Sequence, residues 1–102
     1  MCVVARVKAA TVLLCLVLGA CATSSAPDRE LAAARAAVIQ AEPVAHRYAS
    51  KELDLAQRKL ARAEQAMGRN DWSEARRLAE QAELDARYAW ALAENERARS
   101  GE

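Results

Sequence analysis

Leu53-Asp-Leu-Ala56-Gln-Arg-Lys-Leu60-Ala-Arg-Ala63-Glu-Gln-Ala-Met67-Gly68-Arg69-Asn70-Asp71-Trp72-Ser73-Glu74-Ala75 is the stretch on which the fold turns. Its first half sets Leu53, Ala56, Leu60, Ala63 and Met67 at steps of three and four, which puts them on one face of a helix that packs on another helix. Its centre is punctuation. Gly68 marks the helix stop, because glycine tolerates the backbone conformations found just past a helix C-terminus. Arg69 and Asn70 leave room for a short turn only, and short turns between helices make antiparallel neighbours. Asp71 and Glu74 stand three apart, as in a capping box at a helix start. Beyond Trp72 the stepping resumes through Ala75, Ala79, Ala82, Ala86, Ala89 and Ala93. A seam made almost wholly of alanine lets two backbones approach closely. The stretch predicts a helical hairpin, with helices at about 50–67 and 71–99.

Upstream, Leu31, Ala34, Val38 and Ala41 repeat the helical spacing. They predict a first helix over about 28–42, with Asp28 as its cap. Pro43 is expected to stop it, since proline lacks an N–H and biases Glu42 away from helical backbone. Val44 to Ala49 then reads as a connector, and Ser50 as the next N-cap. Alanine is abundant, phenylalanine is absent, and proline and glycine are few; that composition favours helix. Pairs such as Asp54–Arg58 and Glu83–Arg87 add local support at i,i+4. The expected fold is all-α: a small antiparallel bundle of three helices, dominated by the long hairpin and confined to residues 28–100.

The first 20 residues read differently. Arg6 and Lys8 make a basic start without acids, and residues 9–18 form an apolar run. That length suits a signal peptide and falls short of the roughly 17–25 residues a membrane-spanning helix needs. The run closes on Leu18-Gly19-Ala20-Cys21, which resembles the lipobox of bacterial lipoproteins. The resemblance implies cleavage between Ala20 and Cys21, a diacylglyceryl group on the Cys21 thiol, and an N-acyl chain such as palmitate on the new amine. Each buried CH₂ contributes about 0.8 kcal/mol, so two or three chains hold far longer than one. The plainer alternative is an ordinary signal peptide cut after Ala20, leaving the thiol free. Ala22 stands where aspartate would favour inner-membrane retention, so the resemblance implies the outer membrane, facing the periplasm. Residues 21–27 then serve as lipidated cysteine and linker.

Charge and chemistry narrow the possibilities further. Removing residues 1–20, Arg6 and Lys8 among them, leaves 82 residues with 13 basic and 14 acidic side chains, a net charge of −1. Such balance attracts neither nucleic acid nor anionic lipid. Cys2, Cys15 and Cys21 all precede the helices, so they build neither a disulfide framework nor a zinc site. His46 is the only histidine; it sits beside Arg47 and reads as a solvated residue rather than a base or ligand. The carboxylates alternate with arginines, as on solvated helix faces. Asp85 flanks the alanine seam and reads as an interhelical ion-pair partner before a general acid. Trp72 heads the seam and reads as a plug over the hairpin end before a stacking platform. The expectation is a non-enzyme with no metal and no cofactor beyond the lipid on Cys21.

The third helix is the longest. Paired outward from the turn, the second helix runs out near Tyr88. Tyr88, Trp90 and Leu92 must therefore meet the 43–49 connector, the first helix or another molecule. Leu84, Tyr88 and Ala91 also form a second stripe, away from the alanine seam. Either the first helix covers that stripe, or Leu84, Tyr88, Trp90 and Leu92 make a surface for a protein partner or for self-association.

Residues 48–89 resemble the domain of unknown function 4398, a family of small bacterial lipoproteins and envelope proteins. The matching residues are Tyr48 to Leu53, Ala56, Lys59, Leu60 and Ala63, then Asn70 to Trp72, Ala75 to Ala82, Asp85 and Ala86. Ser50 departs from the proline common there. The family brings no agreed activity, so the resemblance implies a fold without a mechanism. The hairpin also resembles a single tetratricopeptide hairpin, although a binding groove of that kind needs about three. The function expected is that of a membrane-anchored periplasmic lipoprotein, a structural or protein-interaction module of the cell envelope. The alternative is an accessory subunit of an envelope enzyme or exporter.

Overall fold

The computed structural model describes residues 25–101. The expected signal peptide, its cleavage site at Leu18, Gly19 and Ala20, and the lipidated Cys21 lie outside the described residues. The described chain forms α1 (Asp28–Tyr48), α2 (Ser50–Gly68) and α3 (Trp72–Arg99).

Three clusters of buried side chains set the register. At one end Leu31 and Ala34 of α1 meet Ala63 of α2 and Leu78, Ala79 and Ala82 of α3. In the middle Ala37 and Val38 meet Ala56 and Ala86. At the other end Ala41, Val44 and Ala45 meet Ala49, Leu53, Ala89 and Ala93. Residue numbers rise together along α1 and α3 while they fall along α2. So α1 and α3 run parallel, and α2 returns antiparallel between two connections. The three-helix bundle expected from the apolar spacing is present. Helix α3 is its centre, because α1 and α2 each pack on α3 more extensively than on each other.

The reason lies in the small side chains. Ala75, Ala79, Ala82, Ala86, Ala89 and Ala93 are all fully buried. They fall on α3 at helical spacing, so they form one stripe wide enough to serve two neighbours. Leu31, Val38, Val44, Leu53 and Leu78 fill the spaces the alanines leave. Each such buried side chain contributes about 1.5–3 kcal/mol. Polar contacts tie the rims. Arg35 pairs with Glu64 at 3.0 Å, and the Gln57 amide donates to Glu42 at 3.3 Å.

Pro43 does not stop α1, which continues to Tyr48. The expected connector is helix, and only Ala49 separates α1 from α2. The apolar spacing explains this: Leu31, Ala34, Val38, Ala41 and Ala45 step by three and four straight through the proline. Pro43 itself is exposed. Its ring denies a hydrogen bond to the carbonyl of Ile39, a residue on the solvent side, where water can satisfy it. Val44, Ala45 and Ala49 are buried in return. Ala49 makes the whole corner. Its N–H donates to the Ala45 carbonyl and its own carbonyl accepts from the Leu53 N–H, so one residue closes α1 and opens α2. Neither expected cap holds: α1 follows Pro27 and α2 follows Ala49, both without a side-chain cap. Asp28 and Ser50 are the first helical residues, one place too late to cap.

The second connection follows local chemistry more closely. The Asp71 N–H donates to the Ala66 carbonyl and the Asn70 N–H to the Met67 carbonyl. This is the paired closure of a Schellman turn. Its left-handed residue is Asn70, with φ of 58°, whereas Gly68 is the last helical residue. The stop assigned to Gly68 therefore belongs two residues later, at an asparagine that tolerates this backbone. The capping box is half formed. The Asp71 carboxylate accepts from the Glu74 N–H at 3.4 Å, but the Glu74 side chain turns to Arg77, which donates from Nε at 3.0 Å.

Candidate functional site

The stripe of Leu84, Tyr88 and Ala91 is not covered by α1. Leu84 is 66 % exposed and Tyr88 61 %, and Ala91 is exposed beside them. The geometry of α3 requires this. Its alanine stripe already faces both neighbours, and these residues lie on the remaining side.

The other two candidate residues separate from that ridge. Leu92 is half-buried and packs with Tyr48 against the cluster at the Ala49 corner, so it belongs to the core edge rather than to a surface. Trp90, 41 % exposed, lines an open groove of about 300 Å³ with Gln40, Pro43, Val44, Tyr48 and Arg97. The Arg47 guanidinium lies 5.2 Å from the centre of the Tyr48 ring, a cation–π contact. A second open groove, about 460 Å³, lies between α1 and α2, lined by Glu42, Pro43, His46, Leu53 and Gln57.

Asp85 does what its position beside the seam implied. Its carboxylate meets the Lys59 ammonium at 2.7 Å, with both side chains about three-quarters covered. Oδ2 is shut off from solvent and has no further donor among the described residues. The pair joins α2 to α3 and sets their register on that face. One turn back along α2 from Lys59 comes Leu55, and one turn on along α3 from Asp85 comes Tyr88. In antiparallel helices these two stand at the same level. Leu55, 46 % exposed, is therefore a further exposed apolar residue at the level of Tyr88. Sequence reading passed over Leu55 because the seam Leu53–Ala56–Leu60 accounted for α2 without it. An apolar residue outside a complete seam was the available signal.

Electrostatics add little to the ridge. The resolved perturbations fall on Glu74 and Arg77, at the far turn. The Arg77 side-chain hydrogen bond holds the Glu74 carboxyl below its ordinary range, and the same bond raises Arg77. Among the described residues no group of His, Cys, Asp and Glu side chains is placed to hold a metal. None of the described helices is long and apolar enough to cross a membrane.

The model of a family described as a domain of unknown function (DUF4398) matches residues 29–101. Neither a curated protein nor a solved structure matches the chain.

Proposed function

From the premise that the chain belongs to the DUF4398 family, we propose that it works as a membrane-anchored lipoprotein of the bacterial envelope, held by lipid on Cys21 and binding protein through the outer ridge of α3. The exposed Leu84 and Tyr88 carry this reading. A bundle this small holds only about 3–5 kcal/mol from one core, and two large apolar side chains left outside it are surplus to folding. They have value when another surface covers them. The lipobox-like Leu18 to Cys21 supports the anchor, and Ala22 in place of aspartate supports the outer membrane, with the bundle in the periplasm. The α3 ridge suits a structural or interaction role, and the chemistry calls for no cofactor besides the acyl chains.

The accessory-subunit reading is favoured by the two grooves that flank Pro43, because an open cleft beside Trp90 and Tyr48 accepts a foreign chain more readily than a ridge does.

The test is cross-linking in cells of the tagged full-length protein, beside a Leu84→Glu/Tyr88→Glu variant and Cys21→Ser. The proposal expects adducts that the double variant loses while its circular dichroism stays helical. Unchanged adducts sink the ridge. Self-adducts point to a structural lipoprotein, and a single foreign adduct to an accessory subunit. Cys21→Ser should leave the membrane fraction; if it does not, the anchor is wrong.

A further inference from the structure

The chain enters the bundle at a fixed place. Pro27 is completely buried. The Arg76 guanidinium donates to the Ser25 carbonyl at 3.0 Å and pairs with Glu30 at 3.6 Å. Ser25 is therefore held against the first turns of α3, beside the 69–71 turn. Only residues 22–24 lie between Ser25 and Cys21, a path of about 14 Å when fully extended. The headgroup layer is itself about 5–8 Å thick on each side of the hydrocarbon. A lipid on Cys21 therefore holds Ser25 within about 6–9 Å of the headgroup surface even when the linker is fully extended.

The same end has chemistry suited to that contact. Its carboxylates are mostly occupied: Glu30 by Arg76, Glu64 by Arg35, Glu74 by Arg77, and Asp71 by the cap. Arg29, Arg62 and Arg69 are exposed and make no direct ion pair among the described residues. Asp28 and Glu80 make no ion pair among the described residues either, Asp71 keeps its charge while capping α3, and Glu74 also feels Arg62 and Arg69. Trp72 is half-buried here, at the hairpin end, and belongs to none of the three core clusters. A half-exposed indole suits a membrane interface, and guanidiniums suit lipid phosphate.

We infer that the 69–72 end of the bundle, with Arg29, Arg62, Arg69 and Trp72, rests on the headgroups of the membrane that holds its own anchor. This rests on the lipidation of Cys21 proposed above. Helix α3 then points away from the membrane. It carries the Ala49 corner and the Trp90 groove about 30 Å outward. Leu84 and Tyr88 are presented sideways, partway up. The neutral overall charge does not oppose this, because the tether enforces proximity and only the locally unpaired arginines meet phosphate.

The two tryptophans report on opposite ends. They lie 18 residues apart on one helix, about 27 Å. Full-length lipidated protein is reconstituted in phosphatidylethanolamine–phosphatidylglycerol vesicles containing a headgroup-nitroxide lipid. Fluorescence is read from Trp90→Phe, which retains Trp72, and from Trp72→Phe, which retains Trp90. The expected result is quenching of Trp72 about twofold or more stronger than of Trp90, given the thin headgroup layer. An Arg29→Gln/Arg62→Gln/Arg69→Gln variant should weaken Trp72 quenching while still floating with vesicles. Equal quenching of both tryptophans means the bundle lies flat and overturns the inference; no quenching of either, in protein that floats, overturns it also. Unchanged quenching in the triple variant removes the arginines from the contact. Wild-type protein that does not float defeats the anchor reading itself, which separates that failure from one of orientation.

Discussion

The two connections of this bundle reverse the chain by different means. Between α2 and α3, residues 69–71 do so with local chemistry: a left-handed Asn70, two closing backbone bonds, and an Asp71 cap. Between α1 and α2, Ala49 does so alone, without glycine and without a cap. It is 3 % exposed and packs with Val44, Leu53, Ala89 and Ala93. The first turn would be written the same way in any helical hairpin. The second exists because α3 offers an alanine surface that draws both arms inward. A corner made by packing has no motif; it has a small residue where nothing larger fits.

The largest expected effect breaks the packed corner. Ala49→Leu should destabilise by about 2–3 kcal/mol through overpacking, most of what a domain this size holds. Urea melts followed by circular dichroism would show it, and a loss well under that figure would mean that the corner is not packing-limited. Next comes the proline the helix runs through. Pro43→Ala should raise stability by about 1–2 kcal/mol, part of the usual cost of proline inside a helix. A fall instead would show that α1 needs its interrupted bond to reach the corner.

At the other connection, Asp71→Ala should cost about 1 kcal/mol by removing the cap on α3, visible as a lower midpoint with an unchanged slope. Gly68→Ala should add about 0.5–1 kcal/mol, because Gly68 is helical and a Cβ there meets nothing within 4 Å. A loss would return the left-handed role from Asn70 to Gly68. The smallest effect is the pH dependence of Glu74. Its folded pKa is depressed, chiefly by the Arg77 hydrogen bond. That contribution is present above the unfolded carboxyl pKa and fades as pH falls through the lowered folded value. Glu74→Gln should flatten this part of an acid titration slightly, since the pair is exposed to solvent screening.

The hairpin was legible because its signals are local. The 3-4 stepping of Leu53 to Met67 and of Ala75 to Ala93, with turn residues between them, needs no partner to be read. Pro43 was misread by the same local logic, which weighed one missing N–H and overlooked the unbroken stripe from Leu31 to Ala45. The candidate surface was legible in part. Leu84 and Tyr88 lie off the seam and stay exposed; Leu92 lies off it and is half-covered, packed against the cluster at the Ala49 corner. Leu55 entered only once the Lys59–Asp85 pair had aligned α2 with α3.

The sequence by itself determined that the chain is helical, where its hairpin turns, and which face of each helix is apolar. These follow from side-chain size and period along a single helix. Only the tertiary structure decided that α1 passes through Pro43, that Ala49 is the whole of a corner, and that α3 stands at the centre with a ridge left outside. Each of those depends on where a second helix lies, and the free energy of burying alanine against alanine resides in the contact rather than in either residue.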